Sequence, residues 1–228
     1  MKKLIVLMVC LAWAVTIHAG EAARPKTHPD SSGWESLFAE DLSNATYPEG
    51  VWAVRGGVLT ATEDQCIWTR KKYENFILDL EFRNASGTNS GVFVYCTDVG
   101  DFVPNSVEVQ IADDDSPRWA KMPESWHCAA IFGHQAPTKS AVKKPGEWNR
   151  MTITCQGTKI CVMLNGEQVT EIDMKKWTSA KKNPDGSDIP PWLSKPMAEL
   201  ATKGHIGLQG KHGGVPIFFR NLKIKTID

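Results

Sequence analysis

Apolar and polar residues alternate one for one through most of this chain. In Phe76–Arg83, the residues Phe76, Leu78, Leu80 and Phe82 fall on one side and Asp79, Glu81 and Arg83 on the other. Val107, Val109 and Ile111 alternate in the same way with Glu108 and Gln110, and Met151, Ile153 and Cys155 with Arg150, Thr152 and Thr154. A period of two is that of a strand with one packed face and one polar face. The pattern predicts strands at Trp52–Val54, Val58–Ala61, Cys66–Thr69, Phe76–Arg83, Ser90–Tyr95, Val107–Ala112 and Ala129–Phe132. It predicts others at Asn149–Gln156, Lys159–Leu164, Glu167–Ile172, His205–Gln209 and Ile217–Lys225. Arg55-Gly56-Gly57 and Leu164-Asn165-Gly166-Glu167 read as tight hairpin turns, because Gly and Asn tolerate positive φ. Many short strands with almost no helical periodicity predict an all-β fold, a two-sheet antiparallel β-sandwich. Lys175–Lys203 departs from the pattern. It is polar, contains Pro184, Pro190, Pro191 and Pro196, and is expected to form an ordered loop bordering the concave sheet.

The start of the chain follows another rule. Lys2 and Lys3 precede the apolar run Leu4–Ile17, and Ala19-Gly20 supplies small residues suited to cleavage. Residues 1–19 therefore read as a secretory signal peptide, too short for a membrane span. Cys10 lacks the small residues before it that lipoprotein processing needs. No later run approaches membrane length, so the mature chain is expected to be exported, periplasmic or secreted, with no membrane span. Residues 20–32, polar with Pro25 and Pro29, read as a flexible lead-in, and residues 33–228 as a single β-sandwich domain.

Twenty-six Lys and Arg balance twenty-six Asp and Glu, with no basic block, which argues against nucleic acid as a partner. Beyond the leader the cysteines are Cys66, Cys96, Cys128, Cys155 and Cys161. An odd set without a C-x-x-C pair fits neither a zinc site nor a complete disulfide framework. The spacing leaves a Cys155–Cys161 bridge across a hairpin as one reading and burial as small apolar residues as the other.

Several strands carry functional polar groups on one face. Glu108 and Gln110 point the same way, about 7 Å apart by strand geometry. His205, Gly207 and Gln209 share a face opposite Ile206 and Leu208, and Gly210, Gly213 and Gly214 surround Lys211-His212. Glycines at such places leave room for something to approach the backbone. Asn89, in Asn89-Ser90-Gly91, and His134, beside Gly133, are further polar candidates. Glu108 paired with Arg83 as a cross-strand ion pair, and Gln110 or Asn89 as loop bridges, are the structural alternatives. Of nine tryptophans, Trp34, Trp52, Trp68 and Trp148 sit where core packing is expected, while Trp177 and Trp192 lie in the long loop as sugar-stacking or loop-anchoring residues.

Nine segments, in order, resemble the 3-keto-disaccharide hydrolase domain family, a concanavalin A-like jelly roll common in secreted bacterial proteins. They are Trp34–Leu42 (W-E-S-L-F-A-E-D-L), Gly57–Thr62 (G-V-L-T-A-T), Leu80–Arg83 (L-E-F-R), Thr88–Phe93 (T-N-S-G-V-F) and Val107–Asp113 (V-E-V-Q-I-A-D). Lys144–Asn149 (K-P-G-E-W-N), Leu164–Gly166 (L-N-G), Gly204–Gly214 (G-H-I-G-L-Q-G-K-H-G-G) and Phe219–Lys225 (F-R-N-L-K-I-K) complete the set. One departure stands out. Where the family tends to read G-A-L-Y-G, this chain has Ala129–Gly133 (A-A-I-F-G), and Phe132 offers no phenol as a general acid.

The resemblance implies a carbohydrate substrate already oxidised at carbon 3, with a separate sugar-oxidising dehydrogenase acting upstream. A ketone there acidifies the hydrogen on carbon 2. A base removes that proton, donors stabilise the enolate, and the carbon 1 aglycone leaves with proton assistance, with or without later addition of water. The site expected is Glu108 as base or acid, His205 as its proton-transfer partner and Arg83 as an orienting or enolate-stabilising cation. Asn89, Gln110 and Gln209 would hold sugar hydroxyls, Lys211 and His212 would close the rim, and His134 would add a further contact. No cofactor is expected, since no G-x-G-x-x-G follows a strand; a divalent cation would find carboxylates only near Asp113. Two rival readings remain open. A β-glucanase would use an E-x-D-x-x-E strand, but Gln110 replaces the middle carboxylate and Asp113 the last, which weakens the paired-carboxylate geometry. A non-catalytic, lectin-like carbohydrate-binding module would use the same polar face without acid–base chemistry.

Overall fold

The structure, a computed structural model, describes residues 27–228; the expected signal peptide lies outside them. Among the described residues no helix is long and apolar enough to cross a membrane. Thirteen strands among the described residues form two antiparallel sheets. They are β1 (Glu35–Ser36), β2 (Ala45–Thr46), β3 (Trp52–Arg55), β4 (Val58–Ala61), β5 (Ile67–Thr69), β6 (Phe76–Asn84) and β7 (Asn89–Cys96). After them come β8 (Val107–Ala112), β9 (Trp148–Gln156), β10 (Lys159–Leu164), β11 (Glu167–Asp173), β12 (His205–Leu208) and β13 (Ile217–Thr226). The eight-stranded sheet runs β11-β10-β9-β6-β13-β4-β3, with β1 also on β13; the five-stranded sheet runs β2-β5-β12-β7-β8. The two-sheet sandwich expected from the alternation is thus present.

The dry faces meet in one core. Phe76, Leu78, Leu80 and Phe82 of β6, with Met151, Ile153 and Cys155 of β9, face Val92 and Val94 of β7 and Val107, Val109 and Ile111 of β8. At about 25 cal/mol per Å² of apolar surface removed from water, this interlayer contact is the main stabilising term. Both predicted tight turns are present, with Gly56, Gly57, Asn165 and Gly166 all at positive φ. Ala129–Phe132 does not form a full strand. It lies along the β8 edge through Gln110 N to Ala130 O (3.0 Å) and Phe132 N to Glu108 O (3.0 Å), then turns away at Ala129, whose φ is positive. Cys155 and Cys161 form no bridge, because Ile160 is the residue opposite Cys155 and Cys161 projects to the other face of the sheet.

The lead-in differs from expectation at its C-terminal end. His28 to Ser32 packs across the outer face of the eight-stranded sheet. His28 bonds Thr152 through Nδ1 (2.7 Å) and accepts from Gly166 N at Nε2 (2.8 Å), and Arg150 donates to Pro29 O. Ser31 donates to Asp79, and Asp79 also accepts from Arg150 at 2.8 and 3.1 Å and from Thr152 at 2.7 Å. A buried carboxylate needs such a set of donors to offset its lost hydration.

Candidate active site

The five-stranded sheet buries one face in the core and turns the other toward a cavity of about 550 Å³. Strand parity decides which residues line it: Cys66 just ahead of β5, Asn89 and Phe93 on β7, Glu108 and Gln110 on β8, and Gln209 at the end of β12. Each alternates with a core residue such as Val92, Val109 or Leu208. Loops complete the walls. Arg118, Trp119 and Trp126 come from the segment after β8, and Trp192 from the long loop before β12.

Glu108 occupies the floor. Its carboxyl folds back over Gly91, where a β-carbon would collide with it. It keeps some exposure through the cavity mouth, yet protein encloses the carboxyl, and burial pushes its pKa up to about 8. A carboxyl so placed keeps its proton at neutral pH. With the Gln110 amide nitrogen turned toward it, Gln110 donates to Glu108 Oε1 at 3.2 Å and to Ser90 O at 3.0 Å. The far end of that amide lies 3.1 Å from the Asn89 side chain. Gln209 Oε1 is buried without a hydrogen-bond partner among the described residues, an acceptor suited to a ligand hydroxyl. Cys66 lines the wall as a neutral thiol, since burial raises its pKa.

An aromatic cluster closes one end of this face. Trp68 lies across Gly207, where any side chain would strike its ring, and packs tilted against Phe93 (5.6 Å) and Phe102 (5.4 Å). At the mouth, Trp126 sits 5.0 Å from Phe132 and 5.9 Å from Trp192, which is 49% exposed. Trp177 is instead a loop anchor, buried and donating to Asn183 Oδ1 at 2.9 Å. On the rim His212 Nδ1 bonds Asp64 Oδ2 at 2.7 Å.

Glu108, Gln110, Asn89, Gln209 and His212 therefore meet, and four other expected residues do not. Arg83 belongs to β6 in the opposite sheet, where its guanidinium stacks on Trp148 (4.9 Å) and Phe218 (4.7 Å). Parity along one strand cannot distinguish the cavity face from the outer face of the other sheet. His205 has the expected parity but lies beyond the Trp68 cluster, opposite Cys96, with Nδ1 fixed to Thr69 O at 2.7 Å. Lys211 is not a lining residue; its main-chain N donates to Glu63 O at 2.9 Å. His134 lines a separate cavity with Glu171 and Trp177, its Nδ1 held by Phe132 O at 2.9 Å and its pKa lowered by burial. Asp113 accepts from Gly87 N at 2.8 Å and is not among the lining residues, so no second carboxylate from β8 joins Glu108. Asp64 and Trp126 were absent from the sequence reading. Asp64 lies in a loop and Trp126 ends a single 3-10 turn (Glu124–Trp126), where no periodicity marks the direction of a side chain.

The family model described as the 3-keto-alpha-glucoside-1,2-lyase-like domain matches residues 30–225. A curated relative, the 3-keto-disaccharide hydrolase of Bacteroides thetaiotaomicron, is 27% identical over 176 residues, 69% of this chain. The matched region spans 60% of that relative's length. A crystal structure from Parabacteroides distasonis, of a protein provisionally named a glycosyl hydrolase, is 57% identical with a TM-score of 0.83, covering 85% of this chain and 99% of that one. The carbohydrate-binding module CBM66 of Bacillus subtilis, 10% identical with a TM-score of 0.52 over 83% of this chain and 99% of its own, shares the fold. With its family model spanning the sandwich from the lead-in to the last strand, the chain belongs to the 3-keto-alpha-glucoside-1,2-lyase-like domain family.

Proposed function

We propose that this protein cleaves the glycosidic bond of sugars oxidised at carbon 3, by abstraction of the carbon 2 proton and elimination of the aglycone. The observation that carries this reading is Glu108: a carboxyl enclosed at the floor of a cavity lined by amides and aromatic rings, where burial favours its proton-bearing form and a proton donor to a leaving oxygen is needed. Gln110, Asn89 and Gln209 offer amide groups to sugar hydroxyls, and Trp192 with Trp126 offers an aromatic wall to the sugar or its aglycone. Family membership and the name of the Bacteroides relative support the same chemistry. The ketone must be made by a separate dehydrogenase, and the expected leader places the encounter outside the cytoplasm.

The test is incubation of the purified protein with a 3-keto-glucoside and its unoxidised parent, with products identified. Turnover is expected for the keto-sugar alone, because only the ketone acidifies carbon 2. Equal rates on both would favour direct hydrolysis, and binding without turnover would favour a sugar-binding module, the reading that the fold shared with CBM66 suggests.

A further inference from the structure

Elimination needs a base as well as an acid, and a carboxyl that holds its own proton does not take another. The groups facing the cavity that can carry charge or a proton are Glu108 from β8, Cys66 and Asp64 from the segment before β5, Arg118 from the loop after β8, and His212 from the loop after β12. Arg118 carries a fixed positive charge. Cys66 stays a thiol.

Asp64 and His212 remain, and they are bonded to each other. His212 Nδ1 lies 2.7 Å from Asp64 Oδ2. A carboxylate only accepts, so Nδ1 is the donor to it, and in the neutral ring Nε2 is then the nitrogen with the lone pair. Nε2 makes no hydrogen bond to any of the described residues. The pair is held by the backbone around it. Lys211 N donates to Glu63 O at 2.9 Å, and Gly210 lies so close to the carbonyls of Glu63 and Gln65 that a β-carbon would not fit. Two loops far apart in sequence are thereby locked at the positions next to Asp64 and His212. Gly213, at φ +64, turns the chain directly after the histidine.

We propose that His212 is the catalytic base of this site and Asp64 its positioning residue. The assignment rests on the keto-glycoside reading above. His212 Nε2 takes the proton from carbon 2, and the C2–H electron pair enters the enolate of the carbon 3 ketone. The enolate then re-forms the ketone as the C1=C2 double bond forms and the C1–O bond breaks. The departing oxygen takes the Glu108 proton. The products are an unsaturated 3-keto sugar and the free alcohol, and exchange with water returns His212 and Glu108 to their starting states. No oxidant or cofactor enters the balance.

The experiment separates the two proton transfers. Hydrogen exchange at carbon 2 is followed in D2O with 3-keto-glucosides carrying either 4-nitrophenol or a simple alkyl alcohol as aglycone. His212→Gln is expected to slow exchange by about 10²–10⁴-fold, with no rescue by the better leaving group. Glu108→Gln should retain exchange and lose mainly release of the alkyl alcohol, with 4-nitrophenol restoring turnover. Asp64→Asn should lower exchange by about 10-fold or more and move its pH dependence, a change that a merely structural contact would not cause. Melting temperatures check that each variant is folded. Exchange within threefold of wild type in folded His212→Gln would overturn the assignment while leaving the function intact. Wild-type protein that neither exchanges nor cleaves either substrate would overturn both.

Discussion

Gly91 lies beneath the Glu108 carboxyl: the place of a β-carbon at Gly91 is already filled by the carboxyl of Glu108. The two residues are on adjacent strands, and Gly91 pairs directly with Gln110, the other polar residue of the floor. Absence of a side chain on β7 is what lets an acid lie flat on the sheet instead of standing into solvent. Gly91→Ala should push the carboxyl off its seat. A displacement of about 1 Å can cost about 10²-fold in rate, so kcat/KM on a 3-keto-glucoside should fall by that order. Far-UV circular dichroism should be unchanged. Full activity in this variant would show that the position of Glu108 does not matter.

Glu108 also makes stability depend on pH. The folded chain holds its proton up to about pH 8, whereas an exposed carboxyl releases it near 4.5. Between those values the folded state binds more protons than the unfolded state, so stability falls as pH rises. Glu108→Gln removes that dependence. The variant should match wild type below pH 4.5 and gain on the order of 5 kcal/mol above pH 8. Melting curves at pH 4 and pH 9 read the difference directly.

Trp192 should matter for binding and little for folding. It is half exposed and rests edge-on against Trp126. Trp192→Ala should raise KM by about 5–30-fold, the equivalent of roughly 1–2 kcal/mol of lost apolar contact. Its melting temperature should stay within a few degrees of wild type. An unchanged KM would remove Trp192 from the substrate path.

Asp79 gives the opposite separation. It is 3% exposed and holds Arg150, Thr152 and Ser31 on the face away from the cavity. Asp79→Ala leaves those donors without their acceptor and should cost about 2–4 kcal/mol, a fall in Tm of roughly 5–15 °C. At temperatures where the variant is folded, kcat/KM should be preserved.

Arg83→Ala tests whether the opposite sheet takes part in the reaction. Its guanidinium stacks on Trp148 and Phe218 in the opposite sheet. Turnover should stay within about twofold of wild type, since neither Trp148 nor Phe218 lines the cavity. A loss of two orders of magnitude would return Arg83 to the reaction.

The fold was legible because alternation is a local property that core packing enforces. β6, β8, β9 and β10 fall where Phe76–Arg83, Val107–Ala112, Asn149–Gln156 and Lys159–Leu164 put them, to within one residue. The same parity put Glu108 and Gln110 on one face of their strand, and Gln209 opposite Leu208 on another. It failed for Arg83 because each sheet has a non-core face and a single strand does not say which one it belongs to. It failed for His205 for another reason: distance along the face is set by the Trp68, Phe93 and Phe102 rings, whose packing depends on three separate segments. Asp64 was invisible because its partner, His212, follows 148 residues later. A hydrogen bond between loops leaves no periodic trace.

The strip of chain from His28 to Ser32, tied to Asp79, Arg150 and Thr152, runs over the sheet that does not carry the cavity. His28, held there by Thr152 and Gly166, is thus fixed on the back of the molecule. A surface joined at His28 itself would hold the protein with its mouth facing outward, free to receive a glycoside from solution.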